Sequence, residues 1–191
     1  KLSCEKMIKN SGLNSIILRF FNVCSSLIKP KLIGEFHKPE THLIPTLVYK
    51  NKLNKKIFIY GDKFKTIDGT CIRDYIHIKD ISTAINNSVN FLKNNTKNIF
   101  TILNIGGKNK LTNLQVLKRI NKITQKNCKF DIVKKRPGDT SSLTCSITKA
   151  KKIIKWKPQF SSIDKIIKDE IKWVDYLISK KKKRTFKNYN K

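Results

Sequence analysis

Two arginines carry the most chemical information in this chain of 191 residues. Arg73 stands in CIRDYIHI (Cys71 to Ile78), where apolar residues alternate as in a short strand, and a guanidinium there is costly to bury without an anionic partner. That partner is either a neighbouring acid, Asp68, Asp74 or Asp80, or a ligand. Arg136 opens RPGD (Arg136 to Asp139), a tight turn on which an arginine fork can meet a phosphate while Asp139 accepts from hydroxyls. An ordinary turn is the plain alternative. The surrounding stretch DGTCIRDYIHIKD (Asp68 to Asp80) concentrates three of the chain's 13 acids, against 42 lysines and arginines overall.

Other reactive types point to less. His37, His42 and His77 are isolated, with no pair at metal-ligand spacing, and each reads as a structural hydrogen-bonding histidine. The five cysteines are odd in number and contain no C-x-x-C pair, which fits neither a disulfide framework nor a zinc site. Reduced thiols packed inside a cytoplasmic protein are the simple reading. No two glycines are separated by a single residue, so the chain holds no G-x-G-x-x-G phosphate turn. Trp156 and Trp173 fall where core packing explains them.

The elements that must position these residues alternate between helix and strand. A helix closing at Ser11-Gly12 is followed by the apolar run NSIILRFFNV, expected as a buried strand of a parallel sheet. Periodicity is lost from Cys24 to Glu40, a long connection of the kind that carries function. THLIPTLVYKNKL reads as a helix with Pro45 in its first turn, KKIFIYG as a strand stopped by Gly61, and CIRDYIHI as one short strand. Asp80 is expected to cap a helix whose inward face is Ile81, Ala84, Ile85, Ser88 and Leu92. NIFTILNIGG is a strand ending in glycines, and Thr112 with Gln115 forms a capping box. A strand near KFDIV, a short helix near Ile147 to Ile154, and a last helix capped by Ser161 and Asp164 complete the order. Interleaved strands and helices give the class α/β.

A formal net charge of +29 ordinarily suggests a polyanionic partner. Lys, Ile and Asn together make 83 of the 191 residues, however, as expected of codon bias, and the lysines follow no helical stripe. A basic nucleic-acid or polyanion-binding protein is carried as an alternative, and no specific nucleic acid is expected. The run over 180–191 reads as a basic, disordered tail. No apolar run approaches the roughly 18 residues of a membrane span.

Five stretches, LRFFN (Leu18 to Asn22), PETHLIP (Pro39 to Pro45), DGTCIRDYIHIKD, LNIGG (Leu103 to Gly107) and RPGD, closely resemble in order and spacing the UDP-glucose 4-epimerases of the extended short-chain dehydrogenases. The resemblance covers Lys1 to about Tyr176 and implies the C-terminal part of an NAD-binding Rossmann-like enzyme with its smaller substrate-binding domain. On that basis 1–23 would end the Rossmann-like domain. Residues 24–179 would bind the UDP-sugar, with segments near 80–107 returning to the Rossmann-like sheet. The implied reaction interconverts UDP-glucose and UDP-galactose through NAD, in a cytoplasmic homodimer. Lys1 resembles the lysine of the family's Y-x-x-x-K pattern, partner of a catalytic tyrosine and holder of NAD, and Phe21 the residue beside the nicotinamide. The resemblance further implies substrate contacts for Asn22, His42, Leu43, Phe58, Ile59, Tyr60, Arg73, Arg136 and Asp139. Arg73 and Arg136 would neutralise the diphosphate, and the acids near Arg73 would orient it. Leu143 matches a position whose size implies unsubstituted hexoses. Another nucleotide-sugar epimerase or dehydratase of the family is the nearer alternative.

Overall fold

The computed structural model describes residues 1–95 and 98–180. The basic tail expected over 180–191 lies outside the described residues apart from Lys180, which ends the last helix. Helix α1 (Leu2–Asn10) closes at Ser11, whose backbone N–H reaches the carbonyls of Met7 and Ile8, and Gly12 then takes φ +70°. That left-handed value is what makes glycine suitable there.

Strand β1 (Ser15–Phe20) pairs in parallel with β6 (Phe100–Ile105), Ser15 opposite Phe100 and Phe20 opposite Ile105. Parallel neighbours require a crossover, and helix α3 (Ile78–Lys93) lies between them in sequence and packs on β1. β1 is half-exposed instead of buried, because β6 is its sole strand partner among the described residues. Two further parallel pairs follow: β2 (Asn22–Cys24) with β5 (Tyr75–His77), and β3 (Ile57–Tyr60) with β8 (Phe130–Val133). Strand β4 (Ile72–Arg73) runs between β7 (Leu111–Thr112), antiparallel, and β9 (Ser142–Leu143), parallel.

CIRDYIHI is therefore two strands in two sheets, not one. The break falls at Asp74, a buried residue whose Oδ1 accepts from the N–H groups of Gly107 and Asn109, each at 3.0 Å. A carboxylate that must meet the β6–β7 connection cannot also continue a strand. The same contact explains both glycines of LNIGG. A Cβ on Gly106 would stand 2.5 Å from Asp74 Oδ2, and one on Gly107 1.9 Å from the Tyr75 carbonyl. Burial pushes the Asp74 carboxyl above its ordinary pKa, and the N–H bonds act against that.

Helix starts follow local chemistry. His77, not Asp80, caps α3, its Nδ1 accepting from the Lys79 N–H at 3.0 Å. Ile81, Ala84 and Ser88 face inward as expected, whereas Ile85 is exposed, since nothing packs over that edge of the face. Helix α4 (Asn113–Thr124) carries the Thr112/Gln115 capping box that the spacing predicts. Helix α5 (Thr148–Ile153) is short, and α6 (Ile163–Lys180) begins with Ser162 Oγ accepting from Lys165 N–H. The expected cap, Ser161, instead donates to Asp80.

Two cores result. One joins helix α2 (Leu43–Lys52), β3, α4 and α6 through residues such as Leu47, Ile59, Ile120 and Ile167. The other joins β5, β6, α3 and α5 through Ile76, Leu103, Ile105 and Trp156. Parallel strands alternating with helices make the chain α/β, as the sequence predicts.

Candidate functional site

A cleft of about 530 Å³ opens between β2, β3, β4, the start of α2 and the turn at 136–139. Phe21, Asn22, His42, Leu43, Phe58, Tyr60, Arg73 and Arg136 all line it, so residues spread over more than 100 positions of sequence converge there. Ile59 is an exception to the expectation: it is fully buried in the core and absent from the lining, whereas its exposed neighbours Phe58 and Tyr60, on the opposite face of β3, both line the cleft. Lys1, at the head of α1, is exposed and not among the lining residues. Leu143 pairs with Arg73 through β9 and is also absent from the lining.

The arginines share one carboxylate. Asp139 Oδ1 accepts from Arg73 Nη2 at 3.3 Å, and its Oδ2 from Arg136 Nε at 3.2 Å. Arg73 Nη1 also donates to the carbonyls of Ile72 and Thr140, both at 2.9 Å. Its side chain is 13% exposed against 54% for Arg136, whose guanidinium lies 5.0 Å from the Tyr60 ring centre. One carboxylate against two guanidinium groups leaves a net positive charge on this cluster, while Glu35 adds a carboxylate elsewhere in the lining.

This corrects the expectation that the acids of DGTCIRDYIHIKD orient Arg73. Asp68 accepts from Thr70 and Thr112, Asp74 from Gly107 and Asn109, and Asp80 from Gln159, Phe160 and Ser161. Each acid fastens one piece of chain to another, and the one that holds Arg73 comes from the distant RPGD turn.

The start of α2 adds a second source of positive potential. His42 precedes the helix without a side-chain cap, and its own N–H is taken by Glu40 Oε1 at 2.7 Å. Leu43 and Ile44, the first helical residues, line the cleft. Unmatched N–H groups at a helix start, beside two guanidinium groups, form an arrangement suited to an anion with several oxygens. The ribbon of Phe58 and Tyr60, with Lys50 Nζ 5.0 Å from the Phe58 ring centre, offers flat apolar surface at the rim. Thr46, Tyr75 and Asn113 line the cleft too and were not singled out in the sequence. Tyr75 lies two residues from Arg73, and since positions i and i+2 of an extended segment share a face, that spacing was the signal that could have found it.

The loop before α2 rests on α6. Trp173 Nε1 donates to the Glu35 carbonyl at 2.7 Å, and a Cβ on Gly34 would meet the Trp173 ring at 2.5 Å. Beneath it Glu170 is buried beside Glu40 and Glu35, with His37 and His42 paired to those acids on the outer side. Burial, then the charges of Glu40 and Glu35, push the Glu170 pKa up to about 7. The folded state thus keeps a proton that the unfolded chain releases near 4.5, so this stabilisation is full below that pH and is lost as pH rises through 7. The loss is on the order of 3 kcal/mol. Glu170→Gln is expected to flatten that part of the profile and to raise stability at pH 8 by roughly 2 kcal/mol, read from urea unfolding at pH 5 and 8. An unaltered pH dependence would refute it.

Among the described residues no group of three or more His, Cys, Asp or Glu is placed to hold a metal ion, and no helix is long and apolar enough to cross a membrane. Parallel strands with crossover helices, beside a cleft that holds two arginines and an aromatic rim, define an α/β protein of the Rossmann-like type. Residues 1–169 match the family model described as GDP-mannose 4,6 dehydratase, and the chain belongs to that family of extended short-chain dehydrogenases.

Its relatives include the UDP-glucose 4-epimerase of Streptococcus mutans, 37% identical over 179 residues, which are 91% of this chain and 53% of that protein. The solved UDP-glucose 4-epimerase of Brucella ovis, in complex with NAD, superposes with a TM-score of 0.80 at 31% identity, over 90% of this chain and 53% of that one. That of Bifidobacterium longum, in complex with NAD+ and UDP, gives 0.83 at 26% identity, over 92% and 53%. The chain spans about half the length of these relatives.

Proposed function

We propose that the chain is the UDP-sugar-binding part of a UDP-glucose 4-epimerase, corresponding to the C-terminal half or somewhat more of such an enzyme. Residues 1–23 and the segments near 80–107 belong on this reading to the Rossmann-like sheet, in keeping with the β1–β6 pairing, and most of 24–179 to the substrate domain. The observation that carries the proposal is the convergence of Arg73, Arg136 and the uncapped start of α2 on one cleft, with Asp139, itself outside the lining, holding both arginines from behind. Two guanidinium groups and helix N–H groups match a diphosphate. Phe58 and Tyr60 offer a face and edge for uracil, and Asp139 accepts from a ribose.

NAD is the cofactor this reading implies, and the chain's own residues fit one end of it. Phe21 lines the cleft at the junction of β1 and β2, beside the substrate residues, whereas no glycine-rich turn for the cofactor's diphosphate is present. When bound, NAD supplies the acceptor and donor of hydride at the sugar's C4. Phe21 would border the nicotinamide, and Lys1 would hold its ribose and favour the phenolate of a partner tyrosine, an ammonium beside a phenol lowering its pKa. With neither that tyrosine nor the phosphate turn assigned here, the 191-residue chain alone is expected to bind nucleotide without turning over sugar. The complete enzyme is expected to be a cytoplasmic homodimer acting on UDP-glucose and UDP-galactose.

Calorimetric titration of the chain tests this. UDP should bind, UMP at least ten-fold more weakly, and UDP-galactose should compete better than GDP-mannose. The family model's own description makes a sister activity the second reading, and preference for GDP-mannose would favour it. Affinity for DNA with a steep salt slope, and none for UDP, would favour the polyanion alternative.

A further inference from the structure

The wall of the cleft contains two hydroxyls for which the folded chain provides no partner. Tyr75, at the start of β5, is 4% exposed and lines the cleft, and its phenol has no hydrogen-bond partner. Thr46, in the first turn of α2, lines the cleft as well, and its Oγ1 is also buried without a partner. Neighbouring polar side chains differ. The Asn22 amide donates to the Asp74 carbonyl, Asn113 to Cys71 Sγ, and Arg73 to Asp139 and two carbonyls.

A buried hydroxyl without a partner costs roughly 1–3 kcal/mol, and folded proteins keep few of them. Phenylalanine and valine would fill the same two volumes without that cost. Ser15 Oγ and Asn51 Oδ1 are unpartnered too, but only Tyr75 and Thr46 belong to residues that line the cleft, and a ligand that completes both explains them together. Burial raises the Tyr75 pKa, so the phenol stays neutral and can both donate and accept. Neutral hydroxyls complement the arginines, which take charge, by pairing with single oxygens of the ligand.

We propose that Tyr75 and Thr46 are ligand-positioning residues of the cleft, their hydroxyls hydrogen-bonding oxygens of the bound nucleotide sugar. This rests on the UDP-sugar reading above. The oxygens are those of the sugar or of the UDP portion, and two ligands tell them apart.

The test compares the 191-residue chain with Tyr75→Phe and Thr46→Val, measuring urea unfolding without ligand and calorimetric affinity for UDP and for UDP-glucose. Tyr75→Phe should unfold at the same or higher urea yet bind UDP-glucose about ten-fold more weakly, and Thr46→Val should behave alike with a loss of about three-fold or more. Loss confined to UDP-glucose places the contact on the hexose, and equal loss for both ligands places it on the UDP portion. Either supports the proposal. Unchanged affinity for both ligands in both variants overturns it while leaving the UDP-sugar reading intact, as does a clear loss of stability on removing either hydroxyl. Failure of the unsubstituted chain to bind UDP or UDP-glucose is a different result, and overturns the reading beneath it.

Discussion

Replacing Arg73 with alanine is expected to weaken UDP binding by at least ten-fold, about 1.4 kcal/mol. The size follows from how Arg73 is held. Its guanidinium is 13% exposed and fixed by two carbonyls and Asp139, so little conformational entropy remains to be lost when an anion arrives. A charged hydrogen bond in such a setting contributes roughly 1.5–3 kcal/mol, against about 1 for a neutral one. Arg136 is the internal control. With its side chain 54% exposed on the turn, it is more screened and pays more to be ordered, so Arg136→Ala should cost less than Arg73→Ala. Arg73→Lys keeps the charge but not the fork, and should fall between wild type and alanine. Because alanine also leaves the Thr140 carbonyl and one Asp139 oxygen without their donor, urea unfolding of each variant separates lost binding from lost structure. Unchanged UDP affinity in a folded Arg73→Ala chain would remove this residue from the site.

How much of this was legible in the sequence depended on the range of the interaction. Features set within a few residues were legible: the Thr112/Gln115 capping box, the glycine that closes α1, and Pro45 in the first turn of α2. Arg73 was legible as a residue needing an anion, because alternation around it marks a strand. Which anion was not, since Asp139 lies 66 positions away and nothing in local spacing distinguishes it from the nearer Asp74. The split of CIRDYIHI was hidden for a similar reason. The pattern alternates through Asp74, and only the carboxylate's bonds to Gly107 and Asn109 show that the chain changes sheets there. Tyr75 and Thr46 were missed because an apolar-looking strand residue and a helix residue signal packing, and a missing hydrogen bond is visible only in three dimensions.

Asp80→Ala is expected to destabilise the chain by about 3–4 kcal/mol, since it strips the acceptor from three donors at once. Asp80 Oδ1 accepts from the Gln159 N–H at 2.8 Å, and Oδ2 from the Phe160 N–H at 2.9 Å and the Ser161 hydroxyl at 2.5 Å. Ser161 Oγ in turn accepts from the His77 N–H at 3.0 Å, so the first turn of α3 and the approach to α6 form one connected bracket. A second tie runs beside it. His77 Nδ1 is occupied as an acceptor for Lys79, which leaves Nε2–H to donate to Asp169 on α6 at 3.3 Å. Burial lowers the His77 pKa, so the ring works as a neutral donor and that tie outlasts the loss of Asp80. Asp80→Asn retains one oxygen and should cost only about 1–2 kcal/mol, a contrast that a purely steric effect would not produce. Since α3 belongs to the core with β6 and α6 to the core with α2, the bracket ties the two cores together beside β5, which gives Tyr75 to one and Ile76 to the other. Urea unfolding should therefore show, beyond a lower midpoint for Asp80→Ala, a shallower or two-step transition as the cores begin to unfold separately. A single transition with wild-type midpoint would show that Gln159, Phe160 and Ser161 are held without this carboxylate.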